Sequence, residues 1–210
     1  MRDFETLIDE LSQGAGPVRR VLPASWRALG WAPVALGVGY LATRMLHRFT
    51  PDWDGPYAVL SAANAALSIG LGLTAFASAL SISVAGGRAL GRGWMVLGLI
   101  AWVALAAASM SLAPHPLGYA PGVGRYCYTF VLTAGLPMVG VIILALRRTR
   151  SLRPGPSLWA AGMAIAFLSF GLLAFCHPAQ MSVADFVMHL LAALTLGAVT
   201  VAVGHRAVRA

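Results

Sequence analysis

Apolar positions along this chain gather into six long runs, and only the N-terminal segment sets apolar against polar positions at helical spacing. The runs cover about 26–43, 58–84, 94–113, 126–146, 158–176 and 183–204. Most have about 20 residues, enough to cross the roughly 30 Å hydrocarbon core of a bilayer once as an α-helix. The first is the weakest, with Pro33 inside it and Arg44 just beyond. The second belongs to an uncharged stretch from Tyr57 to Gly87, so it must tilt or extend into the interface. Within it Ser68 and Gly72 form a small-xxx-small spacing that permits close helix contact, and Asn64 shares a face with Ser68, a pattern suited to interhelical hydrogen bonding.

The segment before the first run has a different character. Phe4, Leu7, Ile8 and Leu11 repeat at i, i+3, i+4 and i+7, which places them on one face of a helix. Glu5, Asp9 and Glu10 make the opposite face acidic. A lone helix this short is marginal in water, so its apolar face needs a surface to lie against: this protein's own membrane domain, the lipid interface or another protein. Interfacial helices favour a basic polar face, and anionic lipid repels an acidic one. A basic cytoplasmic protein that takes a helix into a groove fits better than lipid. Gly14-Ala15-Gly16-Pro17 then breaks the helix.

Composition agrees with a membrane class: of 210 residues, 59% are hydrophobic and 10% charged, where soluble domains are nearer a quarter charged. The net charge of +8 comes entirely from arginine, since the chain has no lysine. With the N-terminus inside, inner segments hold Arg2, Arg19, Arg20, Arg27, Arg88, Arg92, Arg147, Arg148, Arg150, Arg153, Arg206 and Arg209, and outer loops only Arg44, Arg48 and Arg125. That asymmetry follows the positive-inside rule, so the basic charge reads as topology and not as nucleic-acid binding. The acidic N-terminus is no secretion signal. The expected fold is therefore an all-α polytopic membrane protein of six transmembrane helices with both termini cytoplasmic. Residues 1–25 form a cytoplasmic partner-binding segment and residues 26–210 the membrane domain.

No enzyme motif is present. The chain lacks a phosphate-cradling glycine loop, a His-Glu-x-x-His and a Cys-x-x-Cys, and four of its seven carboxylates lie in the N-terminal segment. No cofactor is implied. Candidate chemistry sits at the outer ends of the helices. Cys127 and Cys176, the only cysteines, top the two helices joined by the basic link Arg147 to Pro154. In an oxidising compartment they can pair, if their Cα atoms approach within about 7 Å. With His177 they can instead bind zinc or a similar cation, or they are inert buried thiols. His115 lies on the same side, and Asp185 and His189 stand four apart on the last helix. A carboxylate there is expected to be partnered by Arg125 or His189.

Two groups of residues resemble the NrsF-type family, the "negative regulator of sigma F" membrane anti-sigma factors. One is Thr6-Leu7-Ile8-x-x-Leu11 followed by Pro17-Val18-Arg19-Arg20-x-Leu22-Pro23. The other comprises Cys127, Leu136-Pro137, Ala145-Leu146-Arg147-Arg148, Ala161-Gly162 and Cys176. The chain departs from the family in having His177-Pro178-Ala179-Gln180 where an acidic residue is expected soon after the second cysteine. The resemblance implies a bacterial inner-membrane protein whose N-terminal segment holds an extracytoplasmic-function sigma factor. It also implies that the paired cysteines sense oxidants or heavy metals. Phe4, Leu7, Ile8 and Leu11, flanked by Glu5 and Asp9, are then the partner-binding residues. Membrane lipid is the other partner, and no nucleic acid is bound directly. The competing class is a membrane thiol oxidoreductase or small transporter. The former needs a second thiol pair or a quinone site, the latter repeated halves or intramembrane charge.

Overall fold

The structure, a computed structural model, describes residues 4–13, 21–46, 53–55, 57–112, 123–149, 151, 153–175 and 181–208. Among them there are seven helices and no strand of a sheet: α1 (Phe4–Gln13), α2 (Ala24–Thr43), α3 (Ala58–Ile82), α4 (Arg92–Ser111), α5 (Val123–Arg147), α6 (Pro154–Leu173) and α7 (Val183–Val208). Five of these, α3 to α7, are long and apolar enough to cross a membrane. Helix α2 matches them in length but falls outside that set. Arg27, Ser25, Tyr40 and four glycine or proline positions (Gly30, Pro33, Gly37, Gly39) dilute its hydropathy.

Helices α2 to α7 pack as an up-and-down bundle, and cross-helix contacts fix which ends meet. Arg27 at the start of α2 donates to Thr149 beyond the end of α5 (3.5 Å), and the Thr149 hydroxyl also meets that of Ser83 after α3 (2.8 Å). Ser157 in the first turn of α6 donates to the carbonyl of Ala79 near the end of α3 (2.9 Å). The Ser151 amide donates to the carbonyl of Val208 at the end of α7 (2.9 Å). Ser78 brackets Leu90, donating to its carbonyl and accepting from its amide, which brings the start of α4 to the same end. One end of the bundle therefore gathers Arg27, Arg88, Arg92, Arg147, Arg148, Arg153 and Arg206, while Arg44 stands at the other. At the arginine-rich end Arg148 lies 5.0 Å over the ring of Trp31, a cation–π contact between the α5 end and α2.

Helix α6 is the hub. It packs against α3, α7, α5 and α2, whereas α4 packs extensively only against α3. Close approach depends on small residues. A Cβ on Gly162 of α6 would stand 2.7 Å from the Cα of Gly197 of α7, and one on Gly72 of α3 would stand 2.8 Å from Leu168 of α6. Fully buried Phe76, Leu80, Met138, Ile142, Ile165 and Leu196 fill the space between. Around the outside, Val96, Leu97, Ile100 and Val103 of α4 and Leu190, Leu194 and Val203 of α7 are exposed. Apolar exposure this extensive is what a lipid-facing surface needs and water would penalise.

Candidate functional site

Two features stand apart from simple helix packing: the surface of α1 and the chemistry at the end of the bundle opposite the arginines. Helix α1 buries none of its residues. Its apolar stripe is open, with Phe4, Ile8 and Leu11 each more than 60% exposed and Leu7 41%. Glu5, Asp9 and Glu10 are exposed on the remaining surface. The four residues read from the sequence as a docking face do share one side of a real helix, and the bundle does not cover it.

At the other end of the molecule lies Asp185, the only carboxylate beyond residue 54, and it is wholly buried. Ser182 and Asp185 form a reciprocal cap at the start of α7. The Ser182 amide and hydroxyl both donate to Asp185 Oδ2 (3.0 and 2.8 Å), and the Asp185 amide donates to Ser182 Oγ (3.1 Å). This is a capping box with Asp at the third helical position. The second carboxylate oxygen, Oδ1, accepts from the thiol of Cys127 in the first turns of α5 (Sγ to O 3.4 Å). Cys127 is itself buried and is a free thiol. One carboxylate thus joins α5 to α7 and caps α7 at once.

One turn further along α7, His189 is 6% exposed and its ring lies 5.6 Å from that of Phe170. It faces a small cavity of about 40 Å³ between α3, α4, α6 and α7, lined also by Ser61, Asn64, Trp102, Ser109 and Phe170. Trp102 forms part of the cavity wall. Its ring stacks on Phe170 at 5.4 Å, meets Phe167 edge-on at 5.6 Å and approaches Phe186 at 5.9 Å. Its indole N–H donates to Ser68 Oγ (3.1 Å), and Ser68 in turn donates to Asn64 Oδ1 (3.4 Å). Such polar groups on small-residue faces are the hydrogen-bonding glue of membrane bundles. The cavity can hold ordered water but is far smaller than a typical ligand pocket.

The cysteine pair is only half in view. Cys176, like His115 and His177, lies outside the described residues, and so does the side chain of Arg125. The pairing of Cys127 with Cys176 and the metal set of Cys127, Cys176 and His177 therefore rest on the sequence. Among the described residues, no three His, Cys, Asp or Glu side chains converge to hold a metal ion. The sequence reading placed Asp185 at this end but missed its partners Cys127 and Ser182. The capping signature Ser-x-x-Asp ahead of an apolar run was there to be read, whereas the thiol contact joins positions 58 residues apart.

Compared with family models, with curated proteins and with solved structures, the chain gives no match in any of the three.

Proposed function

We propose that this protein is a membrane-anchored anti-sigma factor, in which α1 holds a basic extracytoplasmic-function sigma factor against the cytoplasmic face of a bacterial inner membrane. The observation that carries this reading is the open apolar stripe of α1, with an acidic surface on its other side. An apolar face left uncovered by its own bundle gains from burial in a partner's groove, and the acidic surface favours a basic partner over anionic lipid. The resemblance of residues 6–23 to the NrsF-type family supplies the partner class.

In this reading α2 is a sixth crossing, both termini are cytoplasmic, and the arginine-rich end faces the cytoplasm. The gathering of arginines at one end supports that orientation through the positive-inside rule. The end holding Cys127 then faces the oxidising side. Modification of Cys127 and Cys176 would rearrange the helices they top and weaken the grip on the sigma factor. Moving such an equilibrium from mostly bound to mostly free takes about 5 kcal/mol of difference between the two states.

The test is co-purification of the full chain with the extracytoplasmic-function sigma factors of its own cell, each expressed with it in turn, in wild type and in Leu7→Asp or Ile8→Asp. Loss of the complex in the variants supports docking through α1, and an unchanged complex overturns it. For sensing, target transcription is measured under oxidant or heavy metal with both cysteines replaced by serine. An unaltered response removes the cysteines from the mechanism.

A further inference from the structure

We propose that the hydrogen bond from Cys127 to Asp185 is a thiol-dependent latch: while the thiol keeps its hydrogen, the start of α7 is pinned to α5, and replacing that hydrogen releases the first turn of α7. The latch deepens the sensing part of the proposed function and draws its biological meaning from it, but the structural event can be read without any partner.

Three observations carry the argument. Asp185 is wholly buried, so each of its oxygens needs a donor from the protein. Oδ2 takes both of its donors from Ser182 within the α7 cap, and Oδ1 takes the Cys127 thiol from α5. Among the described residues, Cys127 is therefore the inter-helix partner of a carboxylate that also organises the helix start. A sulfur without its hydrogen can only accept, and a carboxylate offers nothing but acceptors. Capping Cys127 removes the donor, adds volume at a site where the thiol is 2% exposed, and sets two acceptors face to face. Asp185 must then turn toward another donor. Because the same carboxylate holds the Ser182 amide and hydroxyl, that turn takes the cap with it.

Methyl methanethiosulfonate is a small neutral probe for this. The Cys127 sulfur attacks the sulfur of its methylthio group, the S–S bond to cysteine forms, the S–SO2 bond breaks, and methanesulfinic acid leaves with the proton of the Cys127 thiol. A Cys176→Ser background leaves Cys127 as the one thiol. The full chain in lipid nanodiscs is then followed by hydrogen exchange at the amides of Ser182, Asp185 and Phe186, which are bonded within the cap. These amides are expected to exchange about tenfold faster once Cys127 is methylthiolated, and to return to the original rate after reduction with dithiothreitol. Loss of one hydrogen bond to a charged group has that magnitude.

Cys127→Ser keeps a donor and should retain slow exchange. Cys127→Ala should exchange fast without any reagent, and it covers the case in which the buried thiol reacts too slowly to label. Equal exchange in wild type, Cys127→Ala and the methylthiolated protein overturns the latch. Fast cap exchange with sigma-factor binding unchanged keeps the latch and removes its link to sensing. Slow cap exchange with sigma-factor release refutes the latch and leaves sensing to another route.

Discussion

The indole N–H of Trp102 reaches Ser68 Oγ across 3.1 Å and thereby fastens α4, the bundle helix that packs extensively against α3 alone, to that neighbour. The same ring carries α4 onto Phe167 and Phe170 of α6 and Phe186 of α7. Trp102→Phe keeps an aromatic ring and deletes the donor, so it should lower stability by about 1 kcal/mol. Trp102→Ala removes the anchor and should cost about 3–5 kcal/mol. Denaturation in detergent micelles, followed by a helix signal, gives both values. A Phe variant as damaged as the Ala variant would mean that the hydrogen bond, and not the ring, holds α4.

Gly162 and Gly197 let the backbones of α6 and α7 touch. With the Gly197 Cα only 2.7 Å from where a Gly162 Cβ would sit, Gly162→Ala must push the helices apart and should cost about 1–3 kcal/mol. Gly140 faces open space in the same bundle. Gly140→Ala should be neutral or stabilising by up to about 1 kcal/mol, since alanine is the better helix former. Melting temperatures of the two variants against wild type provide the comparison.

Leu7→Asp and Ile8→Asp alter an exposed surface and should leave bundle stability within about 0.5 kcal/mol of wild type. The same substitutions should abolish partner capture. A bundle that melts early in these variants would mean that α1 supports its own membrane domain.

The proposed sidedness is tested at the two ends of the bundle. In a background with both cysteines replaced by serine, a cysteine introduced by Met45→Cys should react with a membrane-impermeant maleimide in intact cells. One introduced by Arg153→Cys should react only after the membrane is opened. Met45 is 93% exposed and Arg153 is exposed at the opposite end of the bundle, so access does not depend on unfolding. The reverse pattern would place the arginine-rich end outside and remove the cytoplasmic reading of α1.

Helix periods and apolar run lengths are properties of adjacent residues, so the sequence alone determined the all-α class, the amphipathic stripe of α1 and, of the six crossings it led one to expect, the five long apolar helices α3 to α7. The helix starts drifted where local chemistry extends an apolar run. Helix α6 begins at Pro154, ahead of Leu158, because proline suits the first turn of a helix. Helix α2 is the element on which composition and length point in different directions, since glycine and arginine dilute a segment that still buries Ala28, Ala32 and Ala35.

What only the tertiary structure decided is which distant side chains share a partner. Asp185 and His189 were visible as a pair four residues apart, but Asp185 takes donors from Ser182 beside it and from Cys127 on another helix. Likewise Ser68 and Asn64 were visible on one face of α3, while the indole that completes their chain comes from α4. A period within one helix says which way a residue points. It does not say what stands opposite, because that depends on helix order and on how closely glycines such as Gly162 and Gly197 let backbones approach.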